Sequence, residues 1–501
     1  MMKARATKRS RPPSVAPDWL ARLNARHAVV RLGSRTVILD EREHEPPAFL
    51  KPDDFHLWYA NDRVPAGARD IPVSRLWLKH HDRRQYERVV FEPGRDAGPG
   101  SYNLWRGFAV EPDPTKSCGL FLAHVKDNIC SGNEKHYAWV LGLLAHMVQR
   151  PWEKAGVALV LRGDEGTGKG FLANHVGALF PHHYVVVSHA EHITGRFNAH
   201  HQQALLMFVD EAFWAGDKRA EGVLKHLVTD ETVTTELKHL DPITTRNMSR
   251  FIIASNEDWV VPAGLKARRW AVLDVAHTHK EDRAYFAAIE KEWESGGKAA
   301  FLHLLLNFDL SAVDLYRVPK TSGLLHQKVE SMQPHQRWWL ECLSEGGIST
   351  ETEDAWERWR VESTVTGLGA AVAEIEKKKL HDSYRYWCRR HNVHSRLMDV
   401  RTLHRWLKPL LPGLTESRPG SGNERTRVIG MPSLNAARHA FAEWLGQPID
   451  WEEEVKSEGA ERAGKILTLP APSRPVEPKA RPPRSFSELR RRDDRDFTGF
   501  T

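Results

Sequence analysis

One stretch constrains this chain more than any other. Val157–Leu161 is a continuous apolar run, Gly163-Asp164-Glu165-Gly166-Thr167-Gly168-Lys169-Gly170 follows it, and Phe171–Leu179 has a helical pattern. Closely spaced glycines and a lysine between a strand and a helix form a phosphate-binding loop. The glycines let successive backbone N–H groups curl round a β-phosphate. The helix N-terminus adds partial positive charge, and Lys169 can reach the β- and γ-phosphates. The segment from Gly163 to Phe171 is therefore the expected nucleotide site, with ATP and Mg²⁺ as the expected cofactors. In most such loops a Ser or Thr after the lysine ligates the metal. Gly170 has no side chain, and Thr167 precedes Lys169 and is no substitute, so the ion must be held by phosphates, waters and acids elsewhere.

Those acids are expected at Asp210 and Glu211. The apolar run Leu205–Val209 ends in this pair, which puts two carboxylates at the carboxyl edge of a sheet, beside the phosphate loop. Asp210 is expected to hold Mg²⁺ and Glu211 to orient and polarise an attacking water. A third strand, Phe251–Ser255, ends in Asn256, whose amide can sit between the two other strands and contact a γ-phosphate or the attacking water. Beyond it stand Arg268 and Arg269. A guanidinium that reaches a neighbouring subunit's γ-phosphate stabilises transition-state charge. The sequence does not say which of the two takes this role; Arg269 is the preferred candidate.

The chain around this centre alternates strands and helices. Residues 156–161, 184–188, 204–209, 250–255 and 270–275 are apolar runs of the kind that are buried on both faces of a parallel sheet. Upstream, 27–41 holds two β-like runs around Gly33-Ser34, 102–110 reads as an aromatic strand, and 117–150 is helical by spacing. Asp53-Asp54 reads as a helix start. Residues 281–335 are helical. Further on, 370–391 reads as a charged helix, Asp399 caps a helix running to Leu411, 414–430 reads as strand, Gly-rich turn and strand, and Ser433 caps a last helix ending before Gly446. Helix, helix and basic hairpin is the layout of a winged-helix module. Arg418, Arg425 and Arg427 on that hairpin are candidate phosphate contacts.

With 501 residues, 41% hydrophobic and 27% charged, the chain is neither wholly disordered nor fibrous. A net charge of +7 suits a nucleic-acid partner. Four scattered cysteines carry no zinc spacing and no disulfide framework. No apolar run approaches the ~20 residues of a membrane span, and the basic N-terminus has no apolar segment behind it, so a cytoplasmic protein without a membrane partner is expected, in a bacterial or phage-infected host cell. The ends, 1–16 and 470–501, are too polar to offset their ordering entropy. The histidine pairs at 80–81, 182–183 and 200–201 lack a third metal ligand at useful spacing. Trp338, Trp339, Trp356 and Trp359 are expected in a core rather than as platforms for bases.

Taken together, GDEGTGKG, LLMFVDEA, LKHLVTDETVTTELKHLDP and FIIASN fall in the order seen in superfamily 3 helicases of the AAA+ group, and most resemble phage and plasmid primase–helicases, including poxvirus-type ones. Relatives of that kind often carry GTGKG. The resemblance implies an α/β AAA+ core with a mostly parallel sheet, a helical lead-in and a winged-helix-like tail. Composition and element pattern, read with this resemblance, divide the chain into a basic tail at 1–16, an α+β or helical lead-in for oligomerisation at 17–150, the ATPase at 151–335, a winged-helix-like DNA-binding domain at 336–450 and a mostly disordered Pro/Arg-rich tail at 451–501. The resemblance also implies that Lys238, with His239, sits on a hairpin in the channel of a hexameric ring and touches the DNA backbone. The implied activity is ATP-dependent unwinding of duplex during phage or mobile-element replication, on single-stranded and forked DNA. Region 17–100 has no set of acidic ligands for a primase, which leaves room for a separate primase or polymerase as partner. The alternatives are a DNA-binding ATPase that acts as initiator, loader or packaging motor without unwinding, and a DNA-binding protein whose ATPase has decayed.

Overall fold

A computed structural model describes residues 17–451, apart from 43–44, 67–68, 189–201, 212–217, 236–242, 262, 265–266, 351–352, 359–372 and 420–426. The chain packs as two units, Met1–Ser331 and Met332–Thr501.

The first unit opens on an antiparallel pair, β1 (His27–Leu32) and β2 (Arg35–Asp40), turning at Gly33 with φ +59°. Asp53 and Asp54 lie in the first turn of a helix, Pro52–Trp58, where carboxylates complement the helix dipole. The expected strand over 102–110 is much shorter: only Ser101–Asn103 pairs, and Leu104 onward is irregular. Instead, Trp105 stacks on the buried His183 ring, which accepts the Arg106 N–H and bonds the Gln203 carbonyl. Side-chain packing there takes the place of a ladder.

The centre of the unit is a five-stranded sheet. Its strands are β3 (Ala158–Arg162), β4 (Tyr184–Val187), β5 (Leu206–Asp210), β6 (Arg250–Ser255) and β7 (Trp270–Asp274). The spatial order is β4-β5-β6-β3-β7, and every pairing is parallel. Both faces are covered, which is why the strands read as unbroken apolar runs rather than alternating ones. Leu159, Leu161, Leu206 and Phe208 enter one core together with α1 (Glu134–Gln149) and residues of β1 and β2. Ala158, Val160, Met207 and Val209 enter the other, with Leu224, Leu227 and Leu324. Residues on both sides of position 150 thus share one core.

Arg250 opens β6 fully buried. Its guanidinium bonds the carbonyls of Arg150, Pro151 and Glu153, which follow the end of α1, and that of Met248. Burial pushes its pKa down to about 9. Four carbonyl acceptors compensate a charge that would otherwise be costly to bury.

In the second unit the helix predicted over 370–391 begins later, at Lys377. Residues Ala373–Glu376 form a strand that pairs with Val428–Met431, which also pairs with Thr415–Ser417. The hairpin therefore has a third strand. Asp399 accepts the N–H groups of Arg401 and Thr402, and Ser433 that of Ala436, as capping residues do. Trp338 and Trp339 are buried in core positions; Trp356 and Trp359 have no described side-chain environment. All four cysteines are buried and free. Among the described residues no helix is long and apolar enough to cross a membrane.

Candidate functional site

The parallel sheet brings the carboxyl ends of β3, β5 and β6 to one edge, and the sequence candidates that follow those strands meet there. The loop Gly163–Gly168 leaves β3 and enters α2 (Lys169–Gly177) at its first residue. Gly166 and Gly168 have φ of +73° and +91°, a left-handed backbone that side chains disfavour. Lys169 is buried, and its ammonium donates to the carbonyls of Gly163 (2.5 Å) and Asp164 (2.6 Å). Burial lowers its pKa, against the opposing pull of Asp210 and Glu211. Thr167 is buried with its hydroxyl on the Asp164 carbonyl at 2.8 Å, so it faces the loop's own backbone. Phe171 lies over the His175 ring, with centroids 3.9 Å apart.

Gly170 stands in helical backbone above the ring of Phe208, and a Cβ there would meet that ring at 3.6 Å, an ordinary contact. The missing hydroxyl is therefore not forced by lack of space.

Asp210 ends β5 half-buried, its carboxyl held above the usual range by burial and opposed by Lys169. Glu211 is exposed with φ +53°, uncommon for a residue with a side chain, and its N–H bonds the Ala254 carbonyl at 3.0 Å. Asn256 is exposed just beyond β6, the strand between those of the loop and of the acidic pair. Its loop is held by Gln327, which accepts from Val260 and Val261 and donates to the Asp258 carbonyl. Beside the loop, Arg162 pairs with Asp274 at 2.7 Å and His326 at 2.9 Å.

Arg268 and Arg269 do not join this group. They precede β7, and Trp270 pairs with Ala158 at the start of β3, so they stand at the amino edge of the sheet. A five-residue strand separates that edge from the phosphate loop, roughly 13–17 Å. Arg268 is exposed and Arg269 half-buried. Lys238 and His239 lie outside the described residues. The strands flanking them, Thr232–Thr235 and Ile243–Arg246, pair antiparallel. Arg418 and Arg427 are exposed in the second unit beside its paired strands, and Arg425 lies outside the described residues.

Two features escaped sequence reasoning. The first is a ring of residues that bond the loop from outside. Asn128 donates to the Thr167 carbonyl at 2.6 Å, His124 approaches the Gly168 carbonyl at 3.4 Å, Glu281 gives its N–H to Gly166 at 3.0 Å, and Lys280 pairs with Asp164 at 2.8 Å. No local pattern marks these positions. The second is Asp82, which brings a third ligand atom to His80 and His81 on an exposed turn, where sequence spacing predicted none. His183, from another pair, is engaged with backbone partners as described above.

These features define a glycine-rich loop and an acidic pair at one edge of a parallel α/β sheet. Residues 161–269 match a family described as a family of unknown function (DUF5906). Over 248 residues, 42% of this chain, the sequence is 27% identical to the DNA primase-polymerase of Nitratiruptor phage NrS-1. The match spans 34% of that relative's length. Two apo structures of the NrS-1 C-terminal region share the fold. One has a TM-score of 0.59 at 16% identity, covering 83% of this chain and 98% of that one; the other has 0.57 at 18% identity, covering 83% and 99%.

Proposed function

We propose that this protein is an ATP-hydrolysing DNA motor of phage or mobile-element replication, a ring-forming helicase of the AAA+ superfamily 3 type. The observation that carries the reading is the convergence of Lys169, Asp210, Glu211 and Asn256 on the carboxyl edge around a glycine loop. The similarity to a phage primase-polymerase supports a place in replication. Lys169 binds the β- and γ-phosphates after leaving its two loop carbonyls. Glu211 orients and polarises the attacking water, and Asn256 contacts the γ-phosphate. Asp210, its carboxyl close enough to feel Lys169, suits a site for Mg²⁺ together with Glu211. When bound, the ion neutralises charge on the phosphates.

The position of Arg268 and Arg269 at the far edge suits action on a neighbouring subunit's nucleotide rather than on the same subunit's own. A hexamer provides such neighbours. Lys238 and His239 grip single-stranded DNA in the channel, and Arg418, Arg425 and Arg427 anchor duplex or forked DNA on the second unit. A separate primase or polymerase completes the machinery, in the cytoplasm of the host.

ATPase assays with and without single-stranded DNA, paired with strand displacement on a fork, test the reading. Lys169→Ala should abolish turnover and unwinding, and Glu211→Gln should keep ATP binding while losing hydrolysis. Wild-type rates in either variant refute the assignment. Robust DNA-stimulated hydrolysis without strand displacement would instead identify an initiator, loader or packaging motor.

A further inference from the structure

A trans peptide unit carries its C=O and N–H in one plane, pointing in opposite directions. A carbonyl held on one side therefore aims the next residue's N–H to the other. In the phosphate loop the carbonyls are held from outside. Thr167 O accepts Asn128 Nδ2 at 2.6 Å, which directs the Gly168 N–H. Gly166 O accepts the Glu281 N–H at 3.0 Å, which directs the Thr167 N–H. The Gly168 carbonyl faces His124 Nε2 at 3.4 Å and the Leu172 N–H at 3.2 Å. Carbonyl 163 is held by Lys169 and carbonyl 164 by Lys169 and the Thr167 hydroxyl; an incoming phosphate draws Lys169 away, and the external bonds at 166–168 persist.

Asn128 and His124 come from one widened turn, His124–Ile129, in which the Cys130 N–H bonds Val125 O five residues back. Such turns concentrate at functional sites. This turn is itself tied to the end of the sheet. The Ala276 N–H bonds Asn128 O at 2.9 Å, and Ser131 Oγ bonds Asp274 O at 3.0 Å. Asn128 is 1% exposed, and its other amide atom, Oδ1, has no partner among the described residues. A buried amide with half its capacity unused points to a role for the half that is used. At 3.4 Å the His124 bond is long. The ring acts mainly as a wall: a Cβ on Gly168 would lie 2.5 Å from His124 Cε1. Tyr285, whose hydroxyl meets Nδ1 at 3.2 Å and whose ring stacks on His279 at 3.7 Å, backs that wall.

We infer that Asn128, backed by His124, is a positioning residue that latches the phosphate loop with its amides aimed at the β-phosphate before nucleotide arrives. This rests on the nucleotide reading above for its consequence but not for its geometry, and two readouts keep them apart. The first is amide hydrogen exchange of peptides covering 163–172 in nucleotide-free protein. Asn128→Ala and the apolar, similarly sized Asn128→Leu should both exchange faster there than wild type, while peptides covering 250–255 stay unchanged. The second is steady-state ATP hydrolysis: KM should rise roughly tenfold, the worth of one such bond, with kcat nearly kept. His124→Phe, which keeps the wall, should remain close to wild type, and His124→Ala should resemble the Asn128 variants. Unchanged loop exchange in both Asn128 variants, or a kcat loss without a change in KM, overturns the latch. A wild-type protein that does not bind ATP refutes the nucleotide reading instead, and the exchange result then decides the latch alone.

Discussion

Gly168 and Gly170 are two residues apart, one ending the loop and the other in the first turn of α2, yet the structure assigns them opposite sensitivities to a single methyl group. At Gly168 φ is +91°, where an L-residue costs roughly 1–2 kcal/mol. The added Cβ would sit 2.5 Å from His124 Cε1 and 3.0 Å from Phe286 Cε1. His124 is fully buried between Tyr285, Phe171 and Phe286, so it has nowhere to move, and overpacking adds about 1–3 kcal/mol. Gly168→Ala should therefore destabilise the first unit by about 2–5 kcal/mol. Gly170 has helical backbone, and its Cβ would make an ordinary contact with Phe208 at 3.6 Å. Relief of glycine's excess chain entropy makes Gly170→Ala neutral to stabilising, by roughly 0.5–1 kcal/mol. Urea unfolding of the two variants side by side measures the difference, and a fluorescent ATP analogue reports the loop. Gly168→Ala should lose nucleotide affinity, Gly170→Ala should keep it, and Gly170→Ser should lower the Mg²⁺ concentration needed for half-maximal turnover. Equal stabilities, or a Gly170→Ala protein that is the more damaged, would refute the packing argument.

The trans role of the far-edge arginines predicts complementation. An Arg268→Ala/Arg269→Ala protein and a Lys169→Ala protein, each inactive alone, should recover some ATPase on mixing, because part of the mixed interfaces keeps both halves; strictly additive inactivity over all ratios and concentrations counts against it. Stability should also fall in mild acid. Burial pushes His124 and His183 down to about 4, whereas an unfolded histidine titrates near 6.5. The unfolded chain therefore binds more protons between those values, and stability present above pH 6.5 declines toward pH 4, by at most roughly 1.4 kcal/mol per pH unit for each ring. Melting temperatures from pH 7 to 4.5 should show this decline, with a shallower slope for His124→Phe; superimposable pH profiles would remove His124 as a contributor.

What the sequence determined by itself is local. An apolar run long enough for a strand, glycines at the left-handed positions 166 and 168, and a capping Asp399 or Ser433 act within a few residues, so Gly163–Phe171, the five sheet strands and the capped helices of the second unit were all legible. The acidic pair was legible for the same reason: a strand followed by Asp210 and Glu211 has only one edge on which to place them. What lies between distant segments was decided by the tertiary structure alone. Strand order leaves Arg268 and Arg269 at the edge opposite the loop, Asn256 and the acids. The third strand at Ala373–Glu376 exists because Val428–Met431 pairs with it across some fifty residues, an interaction that outweighs the helical bias of a charged segment. Asn128 and Thr167 are 39 residues apart, and Arg250 is about a hundred from three of the four carbonyls that hold it. An asparagine in a helical stretch or an arginine opening a strand looks the same in sequence whether it meets water or a backbone carbonyl. Only burial, which removes the water, turns the choice of partner into free energy.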